Sequence, residues 1–392
     1  MSLTFDPACI PCSPIFLPFN PLYAIFYGIM KKIRLDLGER SYSIHVGAGA
    51  VKRLPDVLKR IGGVPPVVLI TDNIVARKTL RIFRPVIAAL PNEVIRIQVP
   101  SAERSKSLEV FQEAVQKICR KTRTHRPVII ALGGGVVGDL AGFIAATFRR
   151  GVPLVQVPTT LLAQVDSAIG GKVGIDLPEA KNLVGAFYQP VSVLSDLDLL
   201  DSLPARQVRN GMAEVIKYGV ISSRELFVYL ENNMRDLLSL KKKPLEEVIK
   251  ECAAIKARTV EKDERDCKDI RIALNFGHTL GHAIEAASGY SKAYNHGESV
   301  GLGMLIAADI ALKIEMFREK DLARLRDLIK KAGLPLKCRG VNVREILNAH
   351  RYDKKFITGA NRLVLPRRIG SVEVVEDIPR LLIKTVLRKY VT

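Results

Sequence analysis

Tryptophan is absent from the sequence, and aromatic residues make up only 6% of its 392 positions. Because proteins that bind single-stranded nucleic acids stack the bases on exposed aromatic side chains, this shortage argues against that class. The apolar stretch at residues 15–29 is interrupted by Pro18 and Pro21 and is shorter than the roughly 20 residues of a membrane-spanning helix. No basic segment precedes it, so we predict neither a membrane span nor a secretory signal there.

Cysteine is also scarce: six residues in a chain of this length are too few for a disulfide scaffold. We therefore predict a reducing, cytoplasmic compartment. Cys9 and Cys12 have the C-x-x-C spacing of a zinc or redox site, but no second pair completes a zinc site and no strand pattern precedes them. A strand pattern begins only after Met30, so we interpret residues 1–29 as an extension outside the fold and Met30 as a candidate natural start.

Positive charge is in excess, with 60 Lys and Arg residues against 40 Asp and Glu residues and a formal net charge of +20. This excess predicts an anionic partner, whether a nucleic acid, a membrane surface or a phosphorylated or carboxylated metabolite. The sequence contains no helix-turn-helix, zinc-finger or RNA-binding signature, and its basic residues are spread along the chain. We therefore expect a small anionic ligand, and no nucleic-acid or membrane partner.

Short apolar segments alternate with amphipathic segments from residue 33 to 205, which predicts a mostly parallel sheet covered by helices. The predicted strands are 33–37, 42–46, 66–71, 94–99, 127–132 and 153–158. The predicted helices among them are 49–60, 74–89, 107–121 and 139–149. Helical periodicity alone follows, at 206–220, 224–238, 244–262, 273–287, 297–316 and 319–332. We expect a Rossmann-like α/β domain at 30–205, an all-α domain at 206–392, and an active site in the cleft between them.

Glycine is clustered after the predicted strand 127–132, where Gly133, Gly135 and Gly138 fit the pattern G-x-G-x-x-G and lead into a helix. Glycines let backbone N–H groups approach a pyrophosphate, and a helix N-terminus attracts negative charge. The pattern therefore favours dinucleotide binding over its alternative, a tight turn that only packs the helix on the sheet. The acidic residue expected about 20 positions later to hold a ribose is missing, because the next strand leads into Pro-Thr-Thr.

Histidine is concentrated in one region, where His278, His282 and His296 lie within 19 residues. His278 and His282 are four residues apart and share one helical face. Since imidazole is a common zinc ligand, the cluster predicts a metal site rather than simple helix packing. Glu214 is the candidate carboxylate ligand, because an unpaired acid would be costly in its otherwise apolar helix. The spacing leaves open which two histidines bind the metal.

Several basic residues lie beside glycine turns or apolar segments, as expected of side chains that bind an anion. The alternative for each is a solvated surface charge. The group consists of Arg149, Arg150, Lys172, Lys256, Arg271, Lys354 and Lys355. The context of Lys172, after two glycines, and of Arg271 favours the binding role most.

The order and content of seven motifs from about residue 30 onward resemble the 3-dehydroquinate synthase family. The motifs are GGGVVGDLAGFIAATFRRG, VPTTLLAQVDSAIGGKVGID, KNLVGAFYQP, RNGMAEVIKYG, LNFGHTLGHAIEA, HGESVGLGM and DKKFITG. The resemblance implies conversion of 3-deoxy-D-arabino-heptulosonate 7-phosphate to 3-dehydroquinate and phosphate in the shikimate pathway. It implies transient oxidation by NAD, phosphate elimination, re-reduction and intramolecular aldol closure. It further implies one divalent metal, zinc or alternatively cobalt, and a homodimer.

The resemblance also implies roles for individual residues. Glu214, His278 and His296 would be the metal ligands, which leaves His282 as a substrate and proton-transfer group. The implied substrate contacts are Arg150, Asp166, Lys172, Asn182, Lys217, Lys256, Arg271, Asn275, His282 and Lys355. The implied NAD contacts are Asp72, Glu103, Lys106, Gly135, Val136, Val137, Gly138, Asp139, Thr159, Thr160, Lys172, Lys181, Leu199, Leu200, Asp201 and Ser202. Asp72 would supply the ribose carboxylate that the glycine pattern lacks.

Two related activities remain as alternatives: another sugar-phosphate cyclase and a glycerol-1-phosphate-type dehydrogenase. The simple dehydrogenases lack the full phosphate- and carboxylate-binding set, so Lys172, Asn182, Arg271 and Asn275 argue against them. Other cyclases keep much of that set and differ at the carboxylate-binding positions. The segment 263–271 is one residue longer than the family pattern, and Asp266 takes the place of a family acid within it.

Overall fold

A seven-stranded sheet forms the N-terminal half of the computed structural model, which describes residues 30–289, 293–351 and 362–392. Its strands are β1 (Lys31–Leu35), β2 (Tyr42–Gly47), β3 (Val67–Asp72), β4 (Val94–Val99), β5 (Val128–Gly133), β6 (Leu154–Pro158) and β9 (Ser192–Asp196). The order across the sheet is β1-β2-β9-β6-β5-β3-β4, and only β1 runs antiparallel to its neighbour. Strands β7 (Lys172–Ile175) and β8 (Val184–Phe187) form a separate antiparallel pair.

The composition of each strand explains its place in the sheet. Every residue of β5, β6 and β9 is buried, as expected of central parallel strands covered on both faces. In β4, Arg96 and Gln98 are exposed while Ile95, Ile97 and Val99 are buried, which is the alternation of an edge strand with one covered face. The predicted mostly parallel sheet is therefore confirmed.

Four helices in this half of the chain cover the sheet. They are α1 (Leu54–Ile61), α2 (Asn73–Ala88), α3 (Leu108–Thr122) and α4 (Gly135–Thr147). Asp72 caps α2, because its Oδ1 accepts hydrogen bonds from the backbone N–H groups of Ile74 (2.8 Å) and Val75 (2.9 Å). Helix α4 begins at Gly135 rather than at the predicted residue 139, so the glycine loop itself forms the first turn.

The C-terminal half is mainly helical. Its helices are α5 (Ala205–Ile221), α6 (Arg224–Leu238), α7 (Lys242–Lys262), α8 (His278–Ala287), α9 (His296–Lys313), α10 (Glu319–Lys331), α11 (Val343–Arg351) and α12 (Arg380–Tyr390). Helices α5 and α9 are buried along most of their length and form the centre of this half. No helix in the described ranges is both long and apolar enough to cross a membrane.

Glycines bring α9 into backbone contact with α5 and with the residue before α8. A Cβ atom added at Gly303 would lie 1.9 Å from the carbonyl oxygen of Gly277, and one at Gly297 would lie 2.3 Å from the carbonyl oxygen of Asn210. No larger side chain fits at either position without moving backbone. Because His278 begins α8 and His296 begins α9, this close packing places the two histidines side by side.

Several elements differ from the sequence-based expectations. The expected all-α C-terminal half needs one correction, because β10 (Leu363–Arg368) and β11 (Ser371–Val375) form an antiparallel hairpin whose residues 363–365 are buried. The apolar side chains of this short hairpin join the same core as the helices. Strands β7, β8 and β9 and helices α11 and α12 were not predicted. Strand β9 was hidden by its two serines and one aspartate, which interrupt the apolar pattern although all are buried.

Candidate active site

A cavity of about 1180 Å³ lies where the carboxyl ends of the parallel strands face the helical half. Asp72, Gly135 and Thr159 line it from the sheet side, and His282 and His296 line it from the helical side. In open α/β sheets, ligands bind at this edge, and clefts between two parts of a chain are frequent ligand sites. The predicted cleft thus contains both the glycine loop and the histidine cluster.

The glycine loop forms part of the cavity wall. Gly134 and Gly135 line the cavity, and Cβ atoms added there would come within 3.1 Å of Thr160 and 3.0 Å of Ser167. Within the described residues, no side chain caps the N-terminus of α4, and its first three residues line the cavity. Gly138 serves another purpose: a Cβ atom there would lie 3.0 Å from the Gln156 side chain, so this glycine lets α4 pack on β6. The loop therefore suits a pyrophosphate.

An acidic and basic network borders the same side of the cavity. Lys106 is buried, its Nζ lies 2.8 Å from Asp139 Oδ2, and it contacts the side chain of Asn182. Burial alone would lower the pKa of Lys106, but the carboxylate of Asp139 outweighs this effect and raises it. Burial raises the pKa of Glu103. The lysine is thus a positive charge on the sheet side of the cavity.

Most of the residues predicted to contact NAD line this cavity. Those that do so are Asp72, Glu103, Lys106, Gly135, Val136, Val137, Asp139, Thr159, Thr160, Lys181, Leu199 and Ser202. Four others do not reach its wall: Gly138 packs against Gln156, Leu200 is fully buried, Asp201 contacts Lys242, and Lys172 pairs with Asp266. For these four, the structure offers a packing or ion-pair role.

Glu214, His278 and His296 form the group of described residues whose side chains could together hold a metal ion. Glu214 Oε1 lies 3.3 Å from Nε2 of His278 and 3.2 Å from Nε2 of His296. The candidate ligand atoms lie within 4.8 Å of one another. The ring of His282 lies 5.4 Å from that of His278 and 6.0 Å from that of His296, centroid to centroid, outside the group. The geometry therefore selects His278 and His296, which the spacing alone left open.

The donor set suits a divalent cation. The carboxylate of Glu214 is completely buried, and its Oε2 is paired with the ammonium group of Lys217. Burial alone would raise the pKa of Glu214, but Lys217 and His278 outweigh it and hold the pKa well below its usual range. A buried carboxylate that stays ionised beside two imidazoles is a ready metal ligand, because ligands must be deprotonated.

A second, mostly buried carboxylate lies near this group. Asp166 Oδ1 lies 2.7 Å from Nζ of Lys256 and accepts a hydrogen bond from the hydroxyl of Tyr218. Burial alone would raise the pKa of Asp166, but Lys256 and Lys217 lower it, so it stays ionised. Burial lowers the pKa of Lys256. The acids Glu214 and Asp166 thus alternate with Lys217 and Lys256 in one row of charges. Asp166 forms part of the cavity wall.

Other predicted substrate contacts are placed less directly. Arg150 is exposed and does not line the cavity, and Lys172 pairs with Asp266 outside its wall. Arg271 is buried and donates to the backbone carbonyl of Glu264 at 2.9 Å. Asn275 ends the short helix that leads into α8. Residues 1–29 and Lys355 lie outside the described residues.

Several polar side chains line the cavity without having been predicted, among them Gln207, Asn210, Glu285 and Asn295. Asn210 accepts a hydrogen bond from the backbone N–H of Gly297 at 2.5 Å and thereby holds the helix end that carries His296. Helical spacing was the available signal, since Asn210 precedes Glu214 by four residues and Glu285 follows His282 by three.

Comparison with known proteins places this geometry in a family. The family model described as 3-dehydroquinate synthase N-terminal matches residues 96–210, and the one described as 3-dehydroquinate synthase C-terminal matches residues 211–356. The 3-dehydroquinate synthase of Desulforamulus reducens is 43% identical over 354 residues, which cover 89% of this chain and 97% of that protein.

Solved structures agree with this relationship. A 2-deoxy-scyllo-inosose synthase complexed with carbaglucose-6-phosphate, NAD⁺ and Co²⁺ has a TM-score of 0.83 at 26% identity and covers 92% of this chain and all of that one. The 2-epi-5-epi-valiolone synthase of Streptomyces hygroscopicus with NAD⁺ and Zn²⁺ has a TM-score of 0.82 at 25% identity, over 91% of this chain and 98% of that one. By sequence and fold together, the chain belongs to the 3-dehydroquinate synthase family.

Proposed function

We propose that the cavity carries out the reaction of this family, with one wall holding NAD and the other a divalent metal. The substrate is 3-deoxy-D-arabino-heptulosonate 7-phosphate, and the products are 3-dehydroquinate and phosphate. One observation carries the proposal: a single cavity is lined by the glycine loop on its sheet side and by His282 and His296 on its helical side. Oxidation, elimination and aldol closure on one substrate require both groups within reach of the same molecule.

Glu214, His278 and His296 would hold the metal. Two imidazoles and one carboxylate leave coordination positions open for substrate oxygens. When bound, zinc or cobalt supplies Lewis-acid polarisation of a substrate hydroxyl. Zinc is our first choice, and the cobalt in the related inosose synthase keeps the second metal as an alternative. The buried Lys217 holds Glu214 as a carboxylate without occupying its Oε1.

The sheet side would hold NAD, which when bound accepts a hydride and later returns it. The first turn of α4 presents N–H groups to the pyrophosphate. Asp72 lies at the end of β3, where a carboxylate can bind a ribose hydroxyl. Lys106 stays protonated beside Asp139 and fixes the position of the loop that carries Asn182.

The substrate would lie between the two cofactors. It carries a phosphate and a carboxylate, and two charges at 4 Å interact by about 4 kcal/mol at an effective dielectric constant near 20. His282 lines the cavity beside the metal ligands and is placed to transfer a proton. The assignments of Arg150, Lys172, Arg271, Asn275 and Lys355 to substrate binding rest on the family resemblance.

Three broader features belong to the same proposal. A homodimer is supported by β8, which exposes Val184 and Phe187 and pairs with no strand other than β7 in the described residues. A cytoplasmic location is supported by the free thiols of the four described cysteines. We also propose the division of the chain into residues 1–29, 30–205 and 206–392.

A direct assay tests the proposed function. Purified protein is incubated with the heptulosonate phosphate, NAD and zinc, and phosphate and dehydroquinate are measured together. We expect equimolar release of both, and no phosphate release from glucose 6-phosphate, which lacks the carboxylate. Release from glucose 6-phosphate without dehydroquinate formation from the heptulosonate would assign the chain to another cyclase activity.

A further inference from the structure

Glu285 is an acidic residue of the cavity that the proposed reaction does not use. It lies on α8, seven residues after His278 and three after His282, so all three side chains share one face of the helix. Its side chain is only 15% exposed, and it forms part of the cavity wall. An acid in this position requires partners, because a buried carboxylate without them is costly.

The two carboxylate oxygens of Glu285 face two different groups. Oε1 lies 3.0 Å from Nζ of Lys181, which comes from the sheet side of the cavity. Oε2 lies 4.0 Å from Nδ1 of His296. Glu285 therefore lies between a residue on the nucleotide side and a candidate metal ligand.

The orientation of the His296 ring shows which of its two nitrogens faces which carboxylate. Its Nε2 lies 3.2 Å from Glu214 Oε1, on the side of the metal group, while its Nδ1 points toward Glu285. A histidine binds metal through a nitrogen without a proton, so the proton must be on the other nitrogen. A carboxylate beside that other nitrogen fixes both the tautomer and the ring orientation.

We propose that Glu285 is a positioning residue that holds the proton of His296 on Nδ1 and leaves Nε2 for the metal. Across the 4.0 Å separation, a small rotation of the carboxylate or one bridging water completes a hydrogen bond from Nδ1–H to Oε2. Lys181 holds the carboxylate in place from the opposite side. This inference rests on the metal site of the proposed function and adds a residue that contacts one of the metal ligands.

The arrangement links the two cofactor sites through three side chains. Lys181 lines the nucleotide side, Glu285 follows, and His296 belongs to the metal group. Removing Lys181 frees the carboxylate to move, so it should weaken metal binding, but only while Glu285 is present. The coupling between Lys181 and Glu285 is therefore measurable in a double-mutant cycle.

Metal affinity measures this role without any turnover. Zn²⁺ dissociation constants are obtained by chelator competition for the metal-free wild type, Glu285→Ala, Glu285→Gln and the control Glu247→Gln. Glu247 is a matched control because it is a partly exposed helical glutamate with a lysine partner. We expect Glu285→Ala to bind Zn²⁺ about 10-fold or more weakly. Glu285→Gln, whose amide oxygen can still accept the His296 proton, should lose less, and Glu247→Gln should match wild type.

The visible spectrum of the Co²⁺-loaded protein reports the ligand geometry directly. We expect Glu285→Ala to shift or broaden the Co²⁺ bands, and Lys181→Met to weaken Zn²⁺ binding in the wild type but not in Glu285→Ala. Unchanged Zn²⁺ affinity and Co²⁺ spectrum in a folded Glu285→Ala variant would overturn the inference. If Glu285→Ala does not fold, Glu285→Gln and Lys181→Met decide by the same measurements. Failure of the wild type itself to bind Zn²⁺ would reject the metal site of the proposed function instead.

Discussion

Lys256 and Asp166 form an ion pair at the cavity, with the lysine Nζ 2.7 Å from the aspartate Oδ1. Lys256 belongs to α7 in the helical half, and Asp166 belongs to a turn that follows β6 in the sheet half. The pair is shielded from solvent, since the two side chains are 9% and 21% exposed. It therefore joins the two halves of the chain at the active site.

Removing one member of this pair should cost stability as well as activity. Lys256→Met leaves the Asp166 carboxylate without its main partner, and breaking a buried pair costs about 3 kcal/mol or more. We expect a lower thermal unfolding midpoint and a large loss of kcat. Adding Asp166→Asn should restore part of the stability but none of the activity. A double variant no more stable than Lys256→Met would contradict the pairing argument.

Glu214→Gln should abolish metal binding while the fold is kept. The amide has nearly the same size as the carboxylate but lacks its charge, so it is a poor ligand for zinc. Metal content after dialysis and circular dichroism check the two expectations, with Glu247→Gln as the control. Wild-type turnover by a metal-free Glu214→Gln protein would rule out the assigned site.

Gly135→Val should exclude NAD. Even the Cβ atom of the new side chain would lie 3.0 Å from Ser167 Oγ, and its methyl groups would occupy the space that a pyrophosphate needs. We expect the NAD dissociation constant to rise by at least about 10-fold, as measured by calorimetric titration. Gly301→Ala is a suitable control, because a Cβ atom there meets Leu334 at an ordinary 3.5 Å. An unchanged NAD dissociation constant would show that the loop does not contact NAD.

Asp196→Ala should destabilise the sheet half. The buried Asp196 carboxylate accepts hydrogen bonds from the backbone N–H groups of Gly49 (3.0 Å), Val51 (3.0 Å) and Asp198 (2.9 Å). The variant leaves these donors without an acceptor, at a cost of about 3 kcal/mol or more. The thermal unfolding midpoint should fall well below that of Asp198→Ala, a more exposed neighbour. Equal midpoints for the two variants would show that the three hydrogen bonds contribute little.

His45 should make the stability depend on pH. Burial, together with Arg53, Lys32 and Arg60, lowers its pKa from 6.5 to about 4 in the folded chain. Between these two values the unfolded chain binds a proton that the folded chain does not, so stability falls as the pH drops from 7. The effect reaches about 2 kcal/mol near pH 5 by linkage.

The variant His45→Gln isolates this contribution. It removes the titrating group, so its unfolding midpoint should fall less than that of wild type when the pH changes from 7 to 5. Scanning calorimetry at both pH values measures the difference. An equal decrease in both proteins would show that His45 is protonated in the fold.

The sequence predicted the parts of the site that are local in the chain. The glycine loop lies between a strand and a helix that are adjacent in sequence. The glycine pattern and the histidine cluster are both short motifs, and each predicted one side of the cavity. The choice of His296 over His282 was not local, because His296 begins a different helix and reaches Glu214 through the contact between α5 and α9. Spacing within one helix could not show this.

Other features depended on tertiary packing in the same way. Strand β9 inserts between β2 and β6 although it comes last among the sheet strands, and its serines and aspartate are buried by that position. The pairing of Lys172 with Asp266 joins residues 94 positions apart. Contacts between residues so far apart leave no periodic pattern in the sequence, so the sequence alone could not predict them.

Asn210 and Glu214 occupy neighbouring turns of α5, and the Asn210 side chain is bonded to the second residue of α9, next to His296. The distance from the carboxylate to this imidazole is thus set by a direct bond between two helices and not by the chain that connects α8 to α9. The connection between α8 and α9 could therefore change in length during evolution without changing the distance between the Glu214 carboxylate and the His296 imidazole.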